Sequence, residues 1–250
     1  MIISVIAFIV VFTLVVLVHE LGHFIAARKA GVKVYEFSIG FPFSPKISTL
    51  FRHKETEFTM RLLPLGGFVS FSRNGDEDAK ELFEASYFKR ASIMSAGSLF
   101  NIAFAFLVFI PVFAVGKHIP FIDAVLSSIK TVLAILSGTV LFLSNLLSGS
   151  GSMEGLAGPI GIASMAGQAA SKGFLNLMYF TGILSMSLGI MNLLPLPALD
   201  GGQLFMLLLE SIRRRHLSVR TYQIVNLLGL SLFVILTILV TYKDVVKIIT

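Results

Sequence analysis

The first twenty-seven residues, Met1-Ile-Ile-Ser-Val-Ile-Ala-Phe-Ile-Val-Val-Phe-Thr-Leu-Val-Val-Leu-Val-His-Glu-Leu-Gly-His-Phe-Ile-Ala-Ala27, are apolar almost without a break until His19 and Glu20. A helix needs about 20 such residues to cross the hydrocarbon core of a bilayer, so the stretch reads as a membrane span. It has neither a basic start nor a clear cleavage site, which predicts a retained helix and not a removable leader. Composition extends the reading to the whole chain. Of 250 residues, 55% are hydrophobic and only 14% charged, and the mean hydropathy is +0.87. Soluble domains carry about 25% charged residues, so this chain cannot cover itself with a water-facing surface. It has no cysteine, which excludes disulfides, thiolate chemistry and cysteine zinc sites. A metal site here must use histidine and carboxylate.

Three more spans follow the same criterion, at about Ala91–Val115, Phe174–Leu194 and Tyr222–Thr241. Phe121–Leu147 is also apolar, but Asp123, Ser127, Ser128 and Lys130 cluster in its first half. That clustering predicts a helix lying along the interface, with a further span as the alternative. Between Arg28 and Arg90 there are eleven bases and eight acids, and Arg213, Arg214, Arg215 and Arg220 precede the last span. Lys117–Lys172 holds only three bases. By the excess of Lys and Arg on the cytoplasmic side, both termini lie outside and the first loop inside, which requires an even number of crossings. Four is the expected number. The net charge of +6 is explained by these loops, with lipid contact at Arg213–Arg215. The bases form no stripe interleaved with aromatics, so nucleic acid is not expected as a partner.

The first loop carries its own structure. Val34–Phe41 and Thr56–Leu63 show partial polar–apolar alternation with β-branched and aromatic residues, bounded by Pro42, Pro45, Pro64 and Gly66-Gly67. Short strands are expected over 34–71, as a small sheet at the membrane surface. Asn74–Glu84 reads as a solvated acidic loop and Ser148–Ser152 as a flexible connection. No internal repeat is present.

Chemistry concentrates at His19-Glu-Leu-Gly-His23. Residues four apart on a helix share a face, so both imidazoles project together. They can fill two corners of a tetrahedral zinc site, with Glu20 beside the open corner to take a proton from the attacking water and return it to the leaving amine. The alternative is a polar cluster that glues helices or relays protons, but His and Glu inside an apolar span are rarely present without a task. Two histidines need a third ligand, and the carboxylates in or near apolar segments are Asp123, Asp200 and Glu210. Asp200 sits in Asn192-Leu-Leu-Pro-Leu-Pro-Ala-Leu-Asp-Gly-Gly202, where Pro195 and Pro197 break the helix and the two glycines permit a sharp turn. A helix N-cap is the other reading of this Asp. Asn192 is a neutral donor that can stabilise an oxyanion or bridge two helices. His53, His118 and His216 have no ligand-spaced partner and read as surface residues. Gly161, Ala163, Ala166 and Gly167 favour close helix packing.

The chain resembles the site-2 proteases, zinc metalloproteases that cut substrates within the membrane. The resemblance rests on His19–His23 in the first span and Asn192–Gly202 at the end of the third. It extends to Phe37-Ser-Ile-Gly-Phe41, Leu63-Pro-Leu-Gly-Gly-Phe68 and Gly158-Pro-Ile-Gly-Ile-Ala163, all in the family's order. It is nearest to the bacterial branch that performs regulated intramembrane proteolysis of anti-sigma factors and remnant signal peptides. It implies zinc on His19, His23 and Asp200, Glu20 as general base, and Asn192 as an oxyanion or substrate-holding group. It also implies substrate binding by the β region around Gly40, Gly66, Gly67 and Phe68, and a single-pass membrane protein as substrate in a bacterial inner membrane. Two features depart from the branch: Lys117–Leu147 leaves no room for a PDZ insert, whose role would pass to an accessory protein, and Gly97-Ser98 replaces its Gly-Pro before Asn101.

Two other readings compete. A membrane-anchored protease of soluble peptides would take its third ligand from Glu154 or Glu210, neither well placed. A small transporter or metal carrier could use the same His and Asp residues at a broken helix, but it has no need of Glu20.

Overall fold

The computed structural model describes residues 2–72, 82, 84–150, 157–215 and 217–249. Most of the acidic stretch, part of the Ser148–Ser152 connection and His216 lie outside the described residues. The elements run α1 (Ile2–Ala30), β1 (Glu36–Ile39), β2 (Lys46–His53), β3 (Thr56–Arg61), β4 (Gly67–Ser70), α2 (Tyr87–Gly116), α3 (Phe121–Leu147), α4 (Pro159–Ser171), α5 (Phe174–Asn192), α6 (Asp200–Arg213) and α7 (Val219–Ile249). The chain is a helical membrane protein with a small sheet. Among the described residues, α1, α2, α3, α5 and α7 are long and apolar enough to cross a bilayer. That is one more than the four expected. The addition is α3, read from sequence as an interfacial helix; its polar residues are few enough that a continuous apolar window survives.

Helix α2 is the centre of the bundle and packs against α1, α3, α5 and α6. Its Ala105, Phe109 and Phe113 form one core with Ala124 of α3 and Met186 and Ile190 of α5. A second core joins Ala7, Val11 and Val15 of α1 to Ala166 of α4 and Phe180 of α5. The small residues of α4 serve close packing as expected, since a Cβ on Gly167 would strike Ser4 of α1. Helix α1 meets α2 backbone to backbone at Gly22, where a Cβ would lie 2.5 Å from the Ala96 carbonyl oxygen and 2.9 Å from Gly97 Cα. Lipid tails are as apolar as leucine, so this contact is held by fit and not by burial from water.

The sheet has the order β2-β3-β1-β4. β1 pairs with β3 in parallel and with β4 antiparallel, and β2 closes on β3 as a hairpin. Thr56–Arg61 is therefore an interior strand; of the stretch 56–70 only β4 offers a free edge. β2 escaped the sequence reading because every residue in it is exposed, so no alternation between a wet and a dry face marks it. Phe24 of α1 anchors the sheet through Phe37 and Phe58, with ring centroids 5.6 and 5.7 Å away. The loop from β3 to β4 then runs along the middle of α1. Thr13 donates a hydrogen bond to the Pro64 carbonyl at 2.6 Å, and Gly66 lies over Val16 and Gly67 over Leu17. Exposed Phe41, Phe43, Leu62 and Leu63 surround this loop. The sheet is thus partly embedded, and its irregular backbone sits against protein as membrane depth demands.

Helix α7 is attached at both ends and, between them, where Gly229 closely approaches Pro197. Near its start the Tyr222 hydroxyl accepts a hydrogen bond from Arg90 at 3.0 Å. Near its finish the Asp244 carboxylate accepts the Gly161 amide of α4 at 2.8 Å. Overpacking the α1–α2 contact is the clearest way to break the bundle. Gly22→Ala should lower unfolding stability in detergent by about 1–3 kcal/mol. Gly138→Ala in α3, where a Cβ meets nothing within 4 Å, should leave stability unchanged or raise it by up to about 1 kcal/mol. Circular-dichroism melts of the two variants beside the parent chain make the comparison.

Candidate metal centre

His19 and His23 lie on the buried face of α1, and Asp200 is the first residue of α6. Asp200 Oδ2 is 3.0 Å from His19 Nε2 and 3.3 Å from His23 Nε2. The two Nε2 atoms are 3.1 Å apart. Three ligand atoms thus converge within 4.8 Å of one another, two from histidines four positions apart and one from an aspartate 177 positions beyond the second. Zn–N and Zn–O bonds of about 2.0–2.2 Å place tetrahedral ligand atoms about 3.3–3.5 Å apart, so this triangle is close to the size a zinc ion needs. Asp200 Oδ2 is buried and makes no hydrogen bond despite its proximity to two imidazoles. Such an orphaned acceptor facing two ring nitrogens fits a cation between them, because a buried polar atom left unpaired is costly.

Local structure explains how each group gets there. His23 Nδ1 lies 2.8 Å from the Ile93 carbonyl of α2, to which it donates as the Nδ1–H tautomer, leaving the Nε2 lone pair for a metal. Gly97 of α2 lies directly beneath the imidazoles; a Cβ there would sit 2.8 Å from His19 Nε2 and still nearer His23 Nε2. Gly97-Ser98 therefore preserves what the site requires of this turn of α2.

The Asn192–Gly202 segment differs in detail from its sequence reading. The left-handed residue is Ala198, at φ 69°, while Gly201 and Gly202 lie inside the first turn of α6. What forbids side chains there is close approach: a Cβ on Gly201 would strike the Leu193 and Leu194 carbonyls, and one on Gly202 the Leu196 carbonyl. Asp200 does not cap the helix, since Leu199 holds the N-cap position without a side-chain bond. Its carboxylate is left for the metal triad. Asn192 ends α5, half-buried.

Glu20 follows His19 on α1 and borders a cavity of about 250 Å³ beside the triad. His19, His23, Asp200, Phe68, Val69 and Gln203 also line it. The Val69 amide of β4 lies against the Glu20 carboxylate, and a Cβ on Gly67 would come 3.7 Å from Glu20 Cγ. Of the predicted substrate-binding residues, Phe68 reaches the cavity and Gly67 flanks Glu20. Gly40 and Gly66 shape the sheet, with Gly40 N–H bonded to the Gly66 carbonyl at 2.9 Å and φ of 115° and 84°. Gln203, one turn past Asp200, was missed; its amide gave no sequence signal because α6 itself was not foreseen. Asp123 and Glu210 are not part of the triad, and His53 and His118 are exposed.

Residues 7–236 match the model of peptidase family M50. A Clostridium perfringens protein provisionally named a zinc metalloprotease is 27% identical over 94% of this chain and 96% of its own length. The zinc metalloprotease RasP of Geobacillus kaustophilus is 25% identical over 98% of both chains. That alignment runs over 419 positions, so this relative carries segments that the 250-residue chain lacks. The regulator of sigma-W protease RasP of Bacillus subtilis is 41% identical over 103 residues, covering 41% of this chain and 24% of that protein. A histidine pair and a distant aspartate brought together beside a glutamate, in a chain matched almost end to end, leave no room for the carrier reading: the protein belongs to peptidase family M50, the site-2 proteases, and is a membrane zinc metalloendopeptidase.

Proposed function

We propose that the enzyme hydrolyses a peptide bond within or next to the transmembrane segment of a single-pass membrane protein, with zinc on His19, His23 and Asp200 and Glu20 as general base. The observation that carries this reading is the position of His19 and His23 inside an apolar span, where Asp200 meets them beside a cavity that a strand edge also lines. Zinc held by His19, His23 and Asp200 would supply Lewis-acid chemistry, polarising the scissile carbonyl and acidifying the attacking water to a pKa of about 7. Glu20 takes a proton from the attacking water and delivers it to the leaving nitrogen. Asn192 and Gln203 are the neutral amides from which an oxyanion donor can come. Residues 1–250 act as one catalytic domain, since the triad joins α1 to α6 across α2. The sigma-W name of the Bacillus relative supports anti-sigma factors as substrates, with signal-peptide remnants as the second class. An accessory protein then does the sorting that a PDZ insert does in longer members. In detergent, a single-pass substrate should be cut inside its apolar segment; Glu20→Gln or a zinc chelator should lower the rate at least about a hundredfold. Mass spectrometry of the products maps the cut, and cleavage that survives in Glu20→Gln refutes the assignment.

A helical substrate shields its carbonyls and must be unwound before attack. Pairing with β4 can hold it extended. The Gly40–Gly66 bond and the register Phe37–Val69 turn the main-chain groups of Gly67 and Val69 outward, away from β1. Val69→Pro removes the outward amide that lies against the Glu20 carboxylate at no cost to the ladder, whereas a proline at Phe68 would disrupt the sheet. Val69→Pro should slow cleavage of a transmembrane substrate about tenfold or more while zinc content stays unchanged. Equal rates would exclude pairing at this edge.

The packing also supports termini on one side, away from the basic loops. Ser4 meets Gly167 of α4, and Asp244 bonds Gly161 of the same short helix. Gly116 at the end of α2 adjoins Leu175 at the start of α5, so α3 and α4 together bring the chain back to the end of the bundle where they began. The net crossings are then four. The chain has no cysteine, so single cysteines added at Ser4 and at Lys247 should both react with an impermeant maleimide in intact cells. Labelling of one alone would place the ends on opposite sides.

A further inference from the structure

We infer that Arg90 and Glu210 are positioning residues that fix the register of α6 on α2 and so hold Asp200 against the two histidines; this rests on the metal site proposed above. Both side chains are fully buried. Arg90 Nη1 donates to Glu210 Oε2 at 2.7 Å, and Nη2 donates to the Tyr222 hydroxyl at 3.0 Å. The other carboxylate oxygen, Oε1, accepts the Leu217 amide at 2.9 Å. Burial pushes the Glu210 carboxyl up, but the Leu217 amide and the Arg90 guanidinium outweigh it and hold it below the usual carboxylate range, so the pair is ionic. Buried ion pairs seldom add stability over apolar side chains of the same volume; their best-attested use is to fix one register among several.

The register in question is that of the metal site. Asp200 and Glu210 are ten residues apart on one helix, about 15 Å at 1.5 Å per residue. On α2, Arg90, Ile93 and Gly97 occupy one buried face at spacings of three, four and seven. Ile93 receives the His23 N–H and Gly97 abuts both imidazoles. Helices α2 and α6 thus form a frame, joined at one end through the histidines of α1 that α2 supports and Asp200 meets, and at the other by the ion pair. Helix α6 finds its main helical contact in α2; Gly201 and Gly202 hold its start against the carbonyls of 193–196 and leave its far end to be set on α2. A turn or slide of α6 along α2 would carry Asp200 away from its partners, and the Arg90–Glu210 bond opposes it at the end of α6 remote from the glycines.

The test is zinc affinity, measured by competition with a chromophoric chelator on the purified full chain in detergent. Parent, Glu210→Gln, Asp200→Ala and the double variant are compared. Asp200→Ala should weaken binding because a ligand is lost. Glu210→Gln should weaken it about tenfold, the low end of what losing a group that orients a ligand costs. The double variant should bind no more weakly than Asp200→Ala alone, because Glu210 acts through Asp200. A further tenfold loss in the double variant would assign Glu210 a general structural role and overturn the inference. Parent affinity in Glu210→Gln, with Asp200→Ala impaired, would overturn it and leave the metal site standing. Parent affinity in Asp200→Ala would overturn both. If Glu210→Gln does not accumulate, Arg90→Lys keeps the charge but cannot fork to Glu210 and Tyr222; an affinity between parent and Asp200→Ala is expected, and parent affinity refutes the role.

Discussion

Everything in this structure follows from placing two histidines and a glutamate in the wall of an apolar helix. Polar groups at membrane depth are tolerated only where protein or a water-filled cavity satisfies them. The bundle meets that demand on three sides of α1. Helix α2 presses against it through Gly22 and Gly97, near enough for the Ile93 carbonyl to hold His23. The broken segment after α5 delivers Asp200. The embedded sheet brings β4 alongside Glu20. No one of these elements would be stable where it is without the others, because each carries polar backbone or side chains into a region without water.

The same constraint explains where the glycines fall. Gly22 and Gly97 permit two helices to touch by their backbones; Gly201 and Gly202 permit α6 to begin against the carbonyls of 193–196. All four adopt ordinary helical conformations, so their absence of a side chain serves approach and not turning. The turn is made by Ala198, with Pro195 and Pro197 ending α5 before it. Proline supplies the break, the left-handed alanine the change of direction and glycine the room, and the product is one carboxylate aimed into the bundle.

Much of the site was legible in the sequence because its residues are chemically rare for where they stand. His19, Glu20, His23 and Asp200 are conspicuous in apolar surroundings, and a spacing of four on a helix fixes a shared face. What was illegible depends on close approach or on distance along the chain. The Gly-Gly pair hid α6, since two glycines argue against a helix by propensity; that concealed Gln203 as well. Glu210 was visible as an odd carboxylate, but its partner is 120 positions away and pairing at that range leaves no local pattern. β2 lacked alternation because neither of its faces is buried.

The sheet joins two kinds of work that a soluble protease can keep apart. Phe68 lines both the cavity at the metal triad and a larger polar cavity of about 790 Å³ over the sheet, ringed by Lys33, Arg52, Lys54, Glu36 and Glu57. The Arg61 guanidinium stacks over the same ring, 4.8 Å from its centroid, and is itself tied to Glu36 at 3.0 Å. One side chain of the edge strand therefore separates the cavity at the metal triad from the charged cavity over the sheet. A polypeptide leaving the bilayer must exchange lipid for water within a few residues, and β4 borders both the metal triad and the charged cavity over the sheet, which puts it beside that exchange.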